Sequence, residues 1–182
     1  MNGQDTDLES VFLLASDPAA LNQALYLVTH GLYILTAATL SRLNGQCLDA
    51  LMQVTNLPPR VAIGVNQRSL THEMIATTGR FGVNVLDREN PQILDLIKHF
   101  GLQSGRTVDK FATLPHLRSR GGVPILPDAK AFYECQVLPE MTLNLGTHTL
   151  FIGSVEKAGT RDKGVPLTYN EYRSTMRRRS ER

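Results

Sequence analysis

Apolar positions along this chain fall mostly into short β-branched runs bounded by Gly, Pro or Asn, the pattern of strands more than of helices. Leu32 to Thr36, Arg60 to Asn66 (RVAIGVN), Phe81 to Leu86 (FGVNVL), Ala131 to Leu138 (AFYECQVL) and Thr149 to Val155 each read as a strand. The stretch Gln53-Val54-Thr55-Asn56-Leu57 reads as another, stopped by Pro58 and Pro59, which cannot extend a ladder. Helical spacing is rarer. Leu21, Leu25 and Val28 within residues 18 to 29, with Asp17 as N-cap and Pro18 in the first turn, predict a helix that ends at Gly31. Leu70 to Thr77, capped by Ser69, and Pro91 to His99, after Asn90 and before Gly101, predict two shorter helices. Strands with helices inserted between them, not strictly alternating with them, favour a mainly β fold, an antiparallel barrel with peripheral helices, over a doubly wound parallel sheet. No repeat or low-complexity linker interrupts the pattern, so residues 1–182 are read as one domain, with 1–16 and 174–182 expected to fray.

Composition changes this picture little. The 182 residues are 42% apolar and 20% charged, enough for a full core in one soluble domain. A net charge of +2 gives no reason to expect nucleic acid, and the basic end (Arg173, Arg177, Arg178, Arg179 and Arg182) reads as a solvated terminus. Cys47 and Cys135 stand in apolar stretches with no CxxC or Cys/His spacing, which argues against a metal site or a disulfide framework. The acidic start (Asp5, Asp7, Glu9) is unlike a signal peptide, and the apolar run Ala24 to Leu40 is broken by Thr29, His30 and Gly31. No membrane span is therefore predicted, and a cytoplasmic location is expected.

Candidate chemistry concentrates in two segments, Asn44 to His72 (NGQCLDALMQVTNLPPRVAIGVNQRSLTH) and Gly146 to Val155 (GTHTLFIGSV), where hydroxyl and amide side chains cluster at strand ends. A strand edge left open before Pro58 and Pro59 can hydrogen-bond a flat heterocycle. The turn Gln67-Arg68-Ser69-Leu70-Thr71-His72 opens a helix whose free N–H groups, two hydroxyls and one Arg make a phosphate cradle without a glycine-rich loop. Each piece alone also has a purely structural reading, Ser69 as a cap and the two prolines as a turn. His30, His99 and His116, at helix ends or in a loop, read as capping or solvated groups, Tyr169 and Tyr172 as anchors of the C-terminal segment, and Met52 and Met141 as core fillers.

The ordered series Gly31-Leu32-Tyr33, NGQ at 44–46, QVT at 53–55, PP at 58–59, NQRSLTHE at 66–73, the strand Gly79 to Leu86, FGLQSGRTVDKF at 100–111 and GTHTLFIG at 146–153 resembles the flavin reductase-like, FMN-binding split-barrel family. Within it, the likeness is to the reductase domain of high-molecular-weight rubredoxins and to the flavin-reductase modules fused to flavodiiron proteins. It spans about residues 25 to 172. The resemblance implies a Greek-key split β-barrel, a homodimer with flavin near the subunit interface, and hydride transfer from NADH or NADPH to FMN, with FAD as the other possible flavin. It also implies site positions: Asp49, Ala50, Gln53, Val54 and Thr55 along the isoalloxazine and ribityl chain, largely through backbone groups; Asn66, Ser69 and Thr71 at the ribityl-phosphate end; His148 facing flavin and nicotinamide; and Arg106 and Lys110 in a basic loop nearby.

Two features depart from the family pattern. Asp49 and Ala50 stand where relatives tend to have Asn and Thr, which removes a hydroxyl and adds a negative charge, and Gly146-Thr147-His148 stands where many members read GDH. The 182 residues hold no paired CxxC, so the electron acceptor is expected to be separate: a monooxygenase, a rubredoxin-like protein, free flavin or oxygen. The leading expectation is an NAD(P)H:flavin oxidoreductase. The alternatives are an FMN electron carrier reduced by a protein partner, and a split-barrel binding module that has lost flavin and takes another planar ligand such as haem. The nicotinamide donor stays open, because no Rossmann-type fingerprint is present.

Overall fold

Two strands adjacent in sequence lie at opposite ends of the main sheet, and this arrangement shapes the molecule. The computed structural model describes residues 8–176. Its strands are β1 (Tyr33–Ala38), β2 (Leu43–Leu48), β3 (Leu51–Asn56), β4 (Pro59–Asn66), β5 (Arg80–Val85), β6 (Leu117–Arg118), β7 (Pro124–Ile125), β8 (Ala131–Val137), β9 (Leu143–Asn144) and β10 (His148–Thr160). Helix α1 (Pro18–Leu25) precedes them, α2 (Leu70–Thr78) and α3 (Ile93–Leu102) lie between them, and α4 (Tyr169–Glu171) follows. The main sheet runs β2-β1-β5-β8-β10-β4-β3, antiparallel throughout, with β9 added to β10; β6 and β7 form a separate pair. This is the mainly β split barrel with peripheral helices that the sequence pattern and the resemblance predict.

Side-chain alternation explains the curl. Leu35 and Ala37 of β1, Val61, Ile63 and Val65 of β4, Phe81 and Val83 of β5, Cys135 and Val137 of β8 and Phe151 of β10 meet in one buried cluster. Strands distant along the sheet thus share one interior. Gly153 of β10 makes room for Phe81, whose ring carbon Cζ would lie 2.5 Å from a Cβ at that position. The opposite face of β1 packs on α3, whose Ile93, Ile97 and Phe100 at helical spacing join Ile34, Leu86 and Phe111 in a second cluster.

The predicted strands and helices are found, with shifted ends. Ser69 caps α2 as expected, its Oγ accepting from His72 N at 3.1 Å. Asp17 caps α1 by accepting from the N–H groups of Ala19 and Ala20. That helix stops at Leu25, short of Gly31, and buries none of its residues; the apolar stripe Leu21, Leu25 and Val28 stays about half exposed or more (48%, 62% and 50%). Helix α3 starts two residues later than expected, because Asn90 Oδ1 accepts from Gln92 N in a turn ahead of it. It also continues through Gly101, where a Cβ would sit 3.3 Å from Cys47 Sγ, so close packing on β2 rather than termination accounts for this glycine. Strand β2 is anticipated only by the strand-like stretch around Cys47, since Asn44, Gly45 and Gln46 break its apolar run. Of the termini expected to fray, residues 1–7 and 177–182 lie outside the described residues, including all the tail arginines but Arg173. Arg173 lies over the ring of Tyr26, 4.0 Å from its centroid. Among the described residues no helix is long and apolar enough to cross a membrane.

Asn84 is fully buried on β5 and satisfies two backbone groups outside its strand, donating from Nδ2 to Ile34 O at 3.2 Å and accepting Leu126 N at Oδ1 at 2.8 Å. Replacement of Asn84 by Ala strands both groups and is expected to reduce stability by about 2–3 kcal/mol, read as a fall in melting temperature of roughly 4–10 °C. A variant that melts with the wild type would show that these bonds carry no net stability.

Candidate functional site

The seam between β2 and β3 opens into two clefts that share a wall. The larger, about 780 Å³, lies on the outer face of β3, β4 and β10. Val61, Ile63 and Val65 point into the barrel, so Ala62, Gly64 and Asn66 face the cleft by alternation. The small residues leave its floor low. A Cβ on Gly64 would meet nothing nearer than Ala50 Cβ at 3.4 Å. Val28, Thr29 and His30 form one rim, and the β9–β10 hairpin, with Leu145, Thr147 and His148, forms the other.

His148 is exposed at the start of β10, directly across from Asn66 in the ladder. Its Nδ1 lies 2.9 Å from Thr147 Oγ1. Asp49 and Ala50, which connect β2 to β3, line the same cleft, so four of the expected site residues converge here: Asp49, Ala50, Asn66 and His148.

The smaller cleft, about 320 Å³, lies where β2, the start of α2 and the loop after α3 meet; Gln46 and Cys47 line both cavities and make them contiguous. Arg68, Ser69 and Arg106 stand on its rim. The N–H groups of Leu70 and Thr71, in the first turn of α2, have no acceptor within the helix and carry the positive end of its dipole. Arg106 Nη2 donates to Glu73 Oε2 at 3.1 Å and Arg68 O at 3.4 Å. This ion pair is solvent-exposed on both sides, and such pairs break at little cost.

Two expected site residues turn inward. Thr71 is fully buried, and its hydroxyl accepts from Asn44 Nδ2 at 2.9 Å. Lys110 is 3% exposed, and its ammonium donates to Gly45 O at 2.9 Å and Phe100 O at 3.0 Å. Burial pushes the Lys110 pKa down. Both residues border the smaller cleft, so each shapes it from beneath while its polar end is engaged in the protein.

Gln53, Val54 and Thr55 lie outside both clefts, farther along β3, which is an edge strand as the sequence predicts. There Gln53 Nε2 donates to Asn56 Oδ1 and Thr55 Oγ1 to Pro58 O, each at 2.5 Å, bonds that brace the turn into β4. Conversely, the sequence reading missed His30, Gln46 and Cys47 as lining residues, and it took Met52 for core although it is 59% exposed at the larger cleft. His30 is held there because Tyr169 N donates to its carbonyl at 2.8 Å, a long-range tie that no local pattern announces. His99 and His116 bond to the carbonyls of Lys110 and Leu114, each at 2.8 Å, and Tyr169 and Tyr172 pack on the second core cluster as anchors.

Residues 25–176 match the flavin reductase like domain. Over 156 residues the chain is 42% identical to the high molecular weight rubredoxin of Moorella thermoacetica, a match covering 85% of this chain and 66% of that protein. Over 151 residues it is 33% identical to the ferric-chelate reductase (NAD(P)H) of Archaeoglobus fulgidus, covering 82% of this chain and 87% of that one. The fold superposes on the NADH:FAD oxidoreductase of Streptomyces globisporus with a TM-score of 0.77 at 23% identity, over 86% of this chain and 93% of that one.

Cys47 faces the clefts, yet its environment disfavours the thiolate. Burial first, and Asp49 to a lesser degree, push its pKa up to about 12 against the opposing pull of Lys110, while its S–H donates to Ile97 O at 3.5 Å. Burial, with Glu134 and Glu156 nearby, likewise takes the Cys135 thiol up to about 12. Both thiols of the native protein are therefore expected to react with a thiol-specific disulfide reagent at pH 8 at least about a hundredfold more slowly than in denaturant. Rapid labelling of Cys47 in the native state would refute this.

Proposed function

The chain belongs to the flavin reductase-like domain family, and we propose that it is an NAD(P)H-dependent flavin reductase whose flavin lies along the seam of the split barrel. The observation that carries this reading is the continuity of the two clefts: a low, largely apolar floor at Ala50, Ala62 and Gly64 leads past Gln46 and Cys47 to a helix start flanked by two arginines. These residues fit a flavin. The floor takes a planar ring because Gly64 presents no Cβ to obstruct it, and the smaller cleft offers two N–H groups, the Ser69 hydroxyl and the Arg68 and Arg106 guanidinium groups to a phosphate. The helix start and the two arginines of the smaller cleft suit the phosphate of FMN.

A bound flavin would supply the hydride-accepting and electron-transferring chemistry, so the protein's own contribution is binding, orientation and electrostatics. Asn66 and the backbone around Asp49 and Ala50 hold the ring end. Arg106 exchanges Glu73 for the phosphate, which neutralises more charge than an exposed carboxylate does. Thr71 and Lys110 keep β2 and the α3 loop in place under the cofactor. His148, exposed on the rim and oriented by Thr147, positions the nicotinamide against the ring.

The exposed apolar residues of α1 and of β3, Leu21, Leu25, Met52 and Val54 among them, favour a homodimer that covers this side of the molecule. Gln53, Val54 and Thr55 then serve the subunit contact. Electrons leave to a separate acceptor, a monooxygenase, a rubredoxin-like protein, free flavin or oxygen.

The deciding experiment is an anaerobic visible spectrum of the protein with stoichiometric FMN, before and after NADH and then NADPH. A perturbed flavin band that bleaches with either nucleotide is expected. A bound flavin that stays oxidised would replace this reading with an electron carrier, and an unperturbed free-flavin spectrum with a module that has lost flavin. Replacement of His148 by Ala should slow flavin reduction about tenfold to a hundredfold while FMN affinity changes by less than about threefold. Equal losses in both would contradict the positioning role. Replacement of Gly64 by Leu fills the cleft floor and is expected to weaken FMN binding at least about tenfold with stability changed by under about 1 kcal/mol; retention of wild-type affinity would place the ring elsewhere.

A further inference from the structure

We infer that Gln67 is a positioning residue that ties the phosphate end of the cleft to the hairpin carrying His148, an inference that rests on the flavin-reductase reading. Gln67 sits between Asn66, which lines the larger cleft, and Arg68, which lines the smaller. Its bonds all cross to the β9–β10 hairpin. The main-chain N–H donates to Thr147 O at 3.1 Å. The side-chain Nε2 lies 2.9 Å from Asn144 Oδ1, 3.2 Å from His148 O and 3.3 Å from Thr149 Oγ1. One amide nitrogen thus faces three oxygens on both sides of the hairpin tip, including the carbonyl of His148 itself.

The tip has little other support. Gly146 takes a left-handed φ of +85°, and a Cβ there would meet no atom within 4 Å, so nothing packs on it from that side. Asn144 Oδ1, one of the acceptors of the Gln67 amide, also accepts Gly146 N at 2.8 Å, so the same oxygen that Gln67 holds shapes the turn. Leu145 and His148 are both exposed. Beyond the ladder itself, the Gln67 main-chain N–H, through Thr147 O, and its side-chain amide both link this turn to the barrel wall, and the side chain alone reaches both of its strands.

The link continues to the phosphate end. Thr149 Oγ1 is also 2.8 Å from His72 Nε2, and His72 N–H is capped by Ser69 Oγ at 3.1 Å. Burial pushes the His72 pKa down, which favours the neutral ring, and that ring is braced against Phe151 with centroids 5.3 Å apart. Ser69, His72, Thr149 and Gln67 therefore form one bonded chain from the start of α2 to the backbone of His148. Its direction sets the expected effect: the Gln67 side chain points to the hairpin and away from Arg68 and Ser69, so its loss displaces His148 without removing a group that binds phosphate.

Gln67→Glu tests this, because it keeps the shape and sets a carboxylate oxygen against Asn144 Oδ1 and His148 O, which can only accept, leaving the Thr149 hydroxyl as its one donor among the three; Gln67→Met removes the donor without adding charge and serves if the first variant folds poorly. The rate of flavin reduction at saturating nicotinamide is expected to fall at least about tenfold, with the FMN dissociation constant changed by less than about threefold. In a His148→Ala background the Gln67 substitution is expected to add nothing further, since it acts through His148. An unchanged rate, a parallel loss of FMN affinity, or a full multiplicative penalty in the His148→Ala background would each overturn the inference. A wild-type protein whose bound flavin no nicotinamide reduces overturns the functional reading and this inference with it. Normal wild-type reduction alongside an unaltered Gln67→Glu variant overturns this inference alone.

Discussion

The constraint on which the rest depends is the two-residue connection Asp49-Ala50. It joins β2 and β3, the terminal strands of a seven-strand path. Three Cα–Cα steps span at most about 11 Å, so the two ends of the sheet must meet, and the sheet must curl until they do. Yet among the described residues no ladder pairs β2 with β3; there β2 pairs only with β1, and β3 only with β4. The result is a barrel closed by topology and by its shared core but split along one seam. The clefts open at that seam, where the curled sheet leaves space that backbone pairing would otherwise fill.

A split barrel needs other means of fixing its rims, and buried polar groups supply them. Asn44 at the start of β2 reaches Thr71 in the first turn of α2 and packs against Gly105 so closely that its Oδ1 would lie 2.1 Å from a Cβ there. Lys110 bridges β2 to the end of α3 through two carbonyls, where a cation also meets the favourable end of the helix dipole. Arg42 donates to the carbonyl of Gly105 from the other side. These bonds are directional, and those of Asn44 and Lys110 lie away from solvent, so they hold three loops in register where apolar contact alone would let them slide. The stiffness of the smaller cleft follows from them, as the register of the larger cleft's rim follows from Gln67.

Charge is distributed in keeping with this division. Positive groups gather at the start of α2 and the loop after α3, with Glu73 as a removable counter-charge. Asp49 sits at the other cleft, among mostly apolar neighbours, and its effect on Cys47 is to disfavour a second anion there. Burial is the larger cause of that effect, and Asp49 adds to it.

The sequence by itself determined the class of fold and the kind of chemistry. Val61, Ile63 and Val65 declare an inward face by alternation, Ser69 declares a helix start by its cap, and the spaced blocks from NGQ to GTH declare the family. These signals are local, because pleat and helical turn repeat over two to four residues and leave their period in the chain. It did not determine what each polar side chain does. Thr71 and Lys110 belong to the expected set, yet burial turns both toward the protein; the side chains of Gln53 and Thr55 brace their own turn; α1 carries an apolar stripe that the described chain leaves uncovered. His30, Cys47 and Gln67 gain their places only when residues far apart in sequence, 139 positions for His30 and Tyr169, are brought together. Direction and burial of a side chain depend on what the rest of the chain packs against it, and that is a property of the closed sheet, not of any segment within it.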